Sequence, residues 1–543
     1  MSDPTTVVVN AEVLGHPHAT SVAVTGERIT GISAEPIAAG RHTEVIDAQG
    51  ATLLPGFVDA HVHPFPGGLQ LLGCDLSDLR HSVEIYAATI RRYADDHPDA
   101  EWISGTGWYG DTFPGGLPTA ALLDAIVPDR PAVLVSHDGH GVWANTRALE
   151  LAGIDDRTPD PANGRINRDA DGRATGVLVE RAGDLVTDLL PAPTPELAEQ
   201  ALLEAQRYLH SLGVTSWQDA CLGPLFGLPD PFPLYVALAE RGELTARVVG
   251  AQWWEPGEGL DQVERMLDRR TKGAVGRFRA TAVKVMQDGI CENCTGAMLS
   301  PYSGNPGHGT GLSFIDPEEL KAVARALTTE GFQIHLHAVG DRAVRECLDA
   351  LEAAYGPTSE DLRHQIAHLD VVDPADVPRF AQLGVMANLQ ALWARRDAEI
   401  VERKLPLLGP EREHLHFPFG DLHRAGARFA MGSDWPVTSP NPLWAVHTAV
   451  TRTAPPEDPH GYAGAERAEP LEPGQALSFE TVLRAYTAGS AYANGIEAEV
   501  GTIEVGKLAD LVLLDRPILA GRDYSGALPV LTMVGGDAVH RTL

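Results

Sequence analysis

Short apolar runs recur along this chain, and between them lie segments whose apolar positions follow the 3.6-residue helical period. Eight runs read as strands: 57–63, 213–219, 246–253, 280–287, 332–338, 364–369, 384–389 and 428–434. The stretches 317–330, 342–354 and 374–383 place apolar residues at helical spacing between consecutive strands. Strands alternating with helices predict a parallel sheet, and eight repeats predict an α/β fold closed into a (β/α)8 TIM barrel over 57–495. The first gap breaks the rhythm. Roughly 150 residues separate the first two strands, far beyond a normal connection, so 66–205 is predicted to be an inserted subdomain covering the barrel mouth. Gly67-Gly68 and Gly115-Gly116 within it are read as loop glycines, and 454–474, rich in Pro, Glu and Gly, as an excursion loop.

The two ends of the chain carry a different pattern. Short strand-like runs at 6–10, 21–25, 28–32 and 43–47 alternate with Gly and Pro turns, and similar runs return at 528–534 and 537–541. Neither end is long enough to bury a core alone, so 1–56 and 496–543 are predicted to pair into one composite β-sandwich.

Composition narrows the function classes. The 543 residues are 44% hydrophobic and 21% charged, as in a globular protein with a sizeable core. A net charge of −32 repels nucleic acid and anionic membranes and says nothing sharp about a neutral small-molecule substrate, which is the expected partner on other grounds. No N-terminal apolar run has signal length, no stretch is long enough to span a membrane, and the five cysteines are odd in number. A cytoplasmic protein is expected, with a homodimer as the commonest assembly of large enzymes. Lysine is scarce, so Lys284 inside an apolar strand stands out.

Barrel active sites lie at the C-terminal ends of strands. The first strand ends in His61 and His63, which share a face because side chains alternate along a strand. An isolated H-x-H is a weak signal; the later strands decide what it means. The fourth carries Lys284, the fifth His335 and His337, the sixth His368, and the eighth finishes at Asp434. Polar groups are costly inside a barrel unless paired or ligated, so this recurrence points to a metal centre.

The segments G-F-V-D-A-H-V-H-P, V-K-V-M-Q-D-G, H-L-H-A-V-G-D-R-A, R-H-Q-I-A-H-L, G-S-D-W-P-V and G-T-I-E-V-G-K-L-A-D-L-V-L-L-D run in order from residue 56 to 515. Together they resemble the amidohydrolase superfamily, and within it the YtcJ-like branch, amidohydrolase family 3. The resemblance implies that His61, His63 and Asp434 hold one divalent metal and His337 and His368 a second. Lys284, carbamylated, would bridge them. Two Zn2+ ions are expected, with Mn2+ or Fe2+ as alternatives. Catalysis then falls to Asp434, Lys284 and His368: a metal-activated hydroxide attacks, and Asp434 serves as general base and then acid. The implied reaction is hydrolysis of a non-peptide C–N bond in a small N-acyl or N-formyl compound, or of a related ester or lactone.

Six further residues are expected near the substrate. His335 shares a face with His337. Trp108 and His140 belong to the insertion segments that the family places over the site. Cys291 and Cys294 lie in a loop similar to that of N-substituted formamide deformylases; a lone C-x-x-C lacks the second pair of a zinc knuckle. Arg342 completes the set. A D-aminoacylase-like reading would need a cation for a substrate carboxylate, with Arg342 and Arg452 as candidates. A non-catalytic scaffold or regulatory barrel is the rival from another class, and such proteins typically lose ligands.

Overall fold

The computed structural model describes residues 4–224, 227–303, 309–355, 361–458, 468–521 and 524–543. At its centre lie eight parallel strands: β1 (Phe57–Val62), β2 (Val214–Leu222), β3 (Arg247–Trp253), β4 (Phe278–Met286), β5 (Gln333–Ala338), β6 (Gln365–His368), β7 (Met386–Leu389) and β8 (Arg428–Met431). They follow one another around the sheet in chain order. The sequence places all eight within a few residues. The helices at Pro317–Thr329, Asp341–Ala354 and Val377–Leu383 stand where the helical periodicity puts them. Asp316 caps the first of these by accepting from the Glu318 amide at 2.9 Å.

The seam between β8 and β1 closes by single bonds rather than a ladder. The Asp434 amide donates to His61 O and the His63 amide to Trp435 O, both at 2.8 Å. Such close approach requires Gly432, because a Cβ there would lie 2.5 Å from His61 Cβ. The residues that close the barrel are therefore next to those that carry its chemistry.

The two chain ends share a five-stranded sheet of Glu12–Val13, Thr52–Pro55, Leu511–Leu514, Pro529–Val534 and Asp537–Arg541, in that order. Leu511–Leu514 is apolar throughout because both its faces are covered. Leu511 and Leu513 join Val8, Val22 and Leu53 in one cluster, while Val512 and Leu514 pack with Leu54 in the barrel core.

Between β1 and β2 the chain builds a six-stranded sheet from Cys74–Asp75, Ile103–Trp108, Ala132–Ser136, Gly141–Ala144, Gly164–Arg168 and Ala174–Glu180. Its two faces carry separate apolar clusters, one around Tyr86, Trp108, Trp143 and Leu134, the other around Val133, Ala148 and Leu178. The helices Pro64–Leu72 and Pro195–Ser211, which frame this sheet in the chain, pack on each other. Gly67 and Gly68 are consequently helical rather than loop residues. A Cβ on Gly67 would meet the Trp435 ring at 2.5 Å, and one on Gly68 would lie 1.9 Å from Ala201 O. Gly115 and Gly116 do sit in a turn, with φ of +80° and +83°. Residues 459–467 of the 454–474 excursion lie outside the described residues.

Because the atom facing Gly68 is backbone, neither helix can yield locally. Gly68→Ala is expected to destabilise the protein by about 1–3 kcal/mol. Denaturant unfolding checks this, and an unchanged midpoint would contradict the helix contact.

Candidate metal centre

Strand geometry gathers the polar groups at one end of the barrel. Lys284 pairs in register with His335, Met286 with His337, and Ala338 with His368. The chain turns sharply where the ligating groups are presented: His368 has φ +79° and Asp434 φ +57°, left-handed conformations uncommon for non-glycine residues. Such strain persists only where the surrounding structure fixes it, and it concentrates at functional sites.

The side chains converge on the Asp434 carboxylate. Its Oδ1 lies 3.2 Å from His61 Nε2 and 3.1 Å from His63 Nε2, and its Oδ2 lies 3.8 Å from His368 Nδ1. The His337 ring stacks obliquely on His368 at 4.3 Å between centroids. Lys284 Nζ stands 3.4 Å from His61 Nε2. Trp393 lies flat against His368, with planes 8° apart, and fixes that ring's orientation.

Burial sets the protonation states. It holds His61, His335, His337 and His368 well below the ordinary imidazole value, reinforced by neighbouring imidazoles and Lys284, so their lone pairs are available. Burial also lowers the Lys284 amine to about 8. For Asp434, burial opposes ionisation, but the hydrogen bond from His63 and the nearby Lys284 amine help to outweigh it and hold the carboxyl below its usual value.

This arrangement fits a divalent cation. Among the described residues, both ring nitrogens of His368 and Nδ1 of His63 are buried without a hydrogen-bond partner. Unsatisfied buried polar atoms are rare in native proteins, and imidazole nitrogens around a carboxylate are the donors a borderline metal prefers. His61, His368 and Asp434 each offer a ligand atom within 4.8 Å of the others. Two ligands on one tetrahedral ion stand about 3.4 Å apart, close to the spacings seen around Asp434 Oδ1.

A family model described as amidohydrolase matches residues 44–540. The chain belongs to the amidohydrolase family. It is 31% identical over 518 residues to the Arabidopsis thaliana protein LONG AFTER FAR-RED 3, covering 92% of this chain and 84% of that one. It is 30% identical over 522 residues to the N-substituted formamide deformylase of Arthrobacter pascens, covering 92% and 90%. A crystal structure titled as an uncharacterized metal-dependent hydrolase from Pyrococcus horikoshii OT3 shares the fold, with a TM-score of 0.70 at 24% identity over 96% of this chain and 99% of that one. Family and donor set together imply a hydrolase that uses a divalent metal.

Of the residues expected near substrate in this amidohydrolase, the structure brings two to the centre. His335 lies beneath the ligands, with Nε2 2.9 Å from His61 Nδ1. His140 comes from the insertion, its ring 5.7 Å from that of His337, and its Nδ1 meets Glu180 Oε2 at 2.8 Å. Burial disfavours the His140 cation, but the Glu180 carboxylate outweighs it and raises the imidazole to about 9. Trp108 stays in the inserted sheet, donating from Nε1 to Leu134 O at 2.9 Å. Cys291 and Cys294 are buried against Ile290, Met298, Tyr302 and Val339, so they pack rather than face a substrate. Arg342 turns to the carbonyls of Thr310 and Gly311. Arg452 is buried over the Phe419 ring, with its Nε donating to Leu471 O.

Four supporting residues escape the motif reading. Asp59 accepts from the amides of His61 and Ser433, clamping β1 to the Asp434 turn; burial raises its carboxyl to about 7. Asp288 accepts from the amides of Ala297, Val339 and Gly340 and thereby fixes the loop beside His337. Glu180 orients His140. Lys404 is buried between Asp370 at 2.5 Å and Glu292 at 2.9 Å. A charged residue inside an otherwise apolar strand could have flagged Asp59; the others depend on loops that meet only in three dimensions.

His368→Ala should weaken zinc binding by at least about tenfold in calorimetric titration. His137→Ala should leave it unchanged, because that ring stacks on Tyr109 within the insertion. Equal effects from the two variants would refute the site.

Proposed function

We propose that this amidohydrolase hydrolyses the C–N bond of a small, uncharged N-acyl or N-formyl compound. The observation that carries the substrate class is the state of the cations around the centre. His140 is paired with Glu180, and Lys404 with Asp370 and Glu292. Each of these charges is already neutralised by a carboxylate, so a substrate carboxylate would gain little there. The two clamps a D-aminoacylase-like reading needs, Arg342 and Arg452, are turned to backbone carbonyls elsewhere. The name of the deformylase relative points to the same class of bond.

His61, His63, His337, His368 and Asp434 would hold the metal, with two Zn2+ ions as our assignment. A bound divalent ion supplies Lewis acidity toward a carbonyl oxygen and acidifies water. Lys284 is the proposed bridge. Its buried amine, lowered to about 8, keeps a minor neutral fraction near physiological pH; attack of that free amine on CO2 and loss of one proton would convert it to a carbamate anion.

Asp434 is the proton carrier. Its Oδ1 faces His61 and His63, leaving Oδ2 to take the proton of the attacking water and deliver it to the departing nitrogen. Water adds to the carbonyl carbon, the C–N bond breaks, and an acid and an amine leave. His140, held at Nδ1 by Glu180, keeps its other nitrogen for the substrate carbonyl. The retained donor set sets this chain apart from a scaffold that has kept only the barrel.

A panel of N-formyl amines, N-acyl amino acids and lactones tests the substrate class. We expect the highest kcat/KM for a neutral N-formyl or N-acyl amine, and a loss of about 10²–10⁴-fold in kcat in Asp434→Asn. Preference for a carboxylate-bearing N-acyl amino acid, or full turnover in Asp434→Asn, would overturn the reading.

A further inference from the structure

The interior of a (β/α)8 barrel is normally filled by branched apolar side chains. Beneath the candidate centre of this one lies a buried cluster of side-chain amides: Gln218 on β2, Gln333 on β5, Gln365 on β6, Asn388 on β7 and, just beyond it, Gln390. They bond to one another and to His335, which in turn touches His61. Which end of each amide is oxygen and which nitrogen follows from backbone groups of fixed polarity at the margins of the cluster.

One end of Gln333 lies 2.8 Å from Arg363 O and 2.5 Å from Ala493 O, so that end must be its NH2 and the other its acceptor. One end of Asn388 faces Ala60 O at 2.9 Å, which makes it NH2 as well. That same NH2 reaches Gln365 at 2.8 Å, so the facing atom of Gln365 is its oxygen. The other Asn388 atom receives the Gln390 NH2 at 2.9 Å, and Gln390 in turn accepts from the His368 amide at 2.8 Å. Gln365 therefore turns its NH2 to Gln218, at 2.5 Å, while Gln218 donates to Gln333 Oε1 at 2.7 Å. No freedom remains for Gln218. Its Oε1 is an acceptor, and the ring atom 2.5 Å away, His335 Nδ1, must carry a hydrogen.

A neutral imidazole protonated at Nδ1 has its lone pair at Nε2. That atom of His335 lies 2.9 Å from His61 Nδ1, so His61 is the donor and carries its own hydrogen at Nδ1. Its lone pair is then at Nε2, the atom 3.2 Å from Asp434 Oδ1 and 3.4 Å from Lys284 Nζ. We infer that the amide cluster is a tautomer-setting device: Gln218, acting through His335, fixes His61 as the Nδ1–H form and presents Nε2 as a metal ligand. Gln218 and His335 are thus positioning residues. This deepens the metal reading and rests on it, but it makes a separate claim. The apolar filling of an ordinary barrel could not dictate which nitrogen of His61 is free; these backbone-anchored amides do, without any group that titrates. Gln390 extends the same cluster to the main chain of a second ligand, His368.

Two measurements on the full-length zinc-loaded protein test this. In wild type labelled with 15N-histidine, two-bond correlations report which ring nitrogen of each histidine carries hydrogen, with His335→Gln assigning the signal. Nδ1–H at both His335 and His61 is expected. In zinc titrations, Gln218→Leu should weaken binding by about 10–100-fold. Gln218→Glu should stay within about threefold of wild type, since a buried protonated carboxyl keeps an acceptor toward His335 and a donor toward Gln333. An Nε2–H signal from His335, or unchanged zinc affinity in Gln218→Leu, would overturn the positioning role and leave the metal reading standing. A wild type that takes up no zinc would refute both. The wild-type spectrum decides the tautomer even if Gln218→Leu fails to fold.

Discussion

A buried imidazole has two nitrogens, and each must find a donor, an acceptor or a metal. Five imidazoles, a lysine and an aspartate share one end of this barrel, and the fold depends on how their polar atoms are satisfied. His61 is tied at Nδ1 to His335, and its Nε2 opens toward Asp434. Among the described residues, neither nitrogen of His368 has a hydrogen-bond partner. Leaving such groups unsatisfied is unfavourable by roughly 1–3 kcal/mol each, and a cation bound among them removes that penalty while giving the residues a use.

The same constraint reaches outward. Asp59 ties the strand carrying His61 to the turn carrying Asp434, so the barrel seam and the ligand set are held by one carboxylate. Beneath the ligands, amides take the place of a hydrocarbon filling and orient the imidazole above them. At the rim, Glu180 links the insertion to the barrel by holding His140 and accepting from Thr295 at 2.6 Å. The insertion thus contributes a side chain, His140, to the centre, its ring 5.7 Å from that of His337.

Much of this was legible in the chain itself, for physical reasons. The barrel strands are apolar runs flanked by helical periodicity, and the ligating residues fall at their ends, where any reader of strand order would look. The supports were not legible. Asp288, Glu180 and Lys404 work through loops whose meeting is a property of the fold. The inserted sheet includes Gly164–Arg168, a strand with two arginines and an asparagine whose burial is partial, so alternation gives it little signature. Gly67-Gly68 reads as a loop pair because adjacent glycines usually mark turns, whereas here a helix needs them to approach Trp435 and Ala201. The cysteines of the C-x-x-C were expected at the substrate and instead fill an apolar pocket. Arg342 was expected to clamp and instead serves a neighbouring loop.

The His61–Asp434 cluster is the proposed metal centre. Anomalous diffraction at the zinc edge, from crystals of the zinc-loaded protein, tests it most directly. The structure predicts a strong peak among His61, His63, His368 and Asp434. A peak confined to the Cys291–Cys294 loop, or none within the barrel, would contradict it.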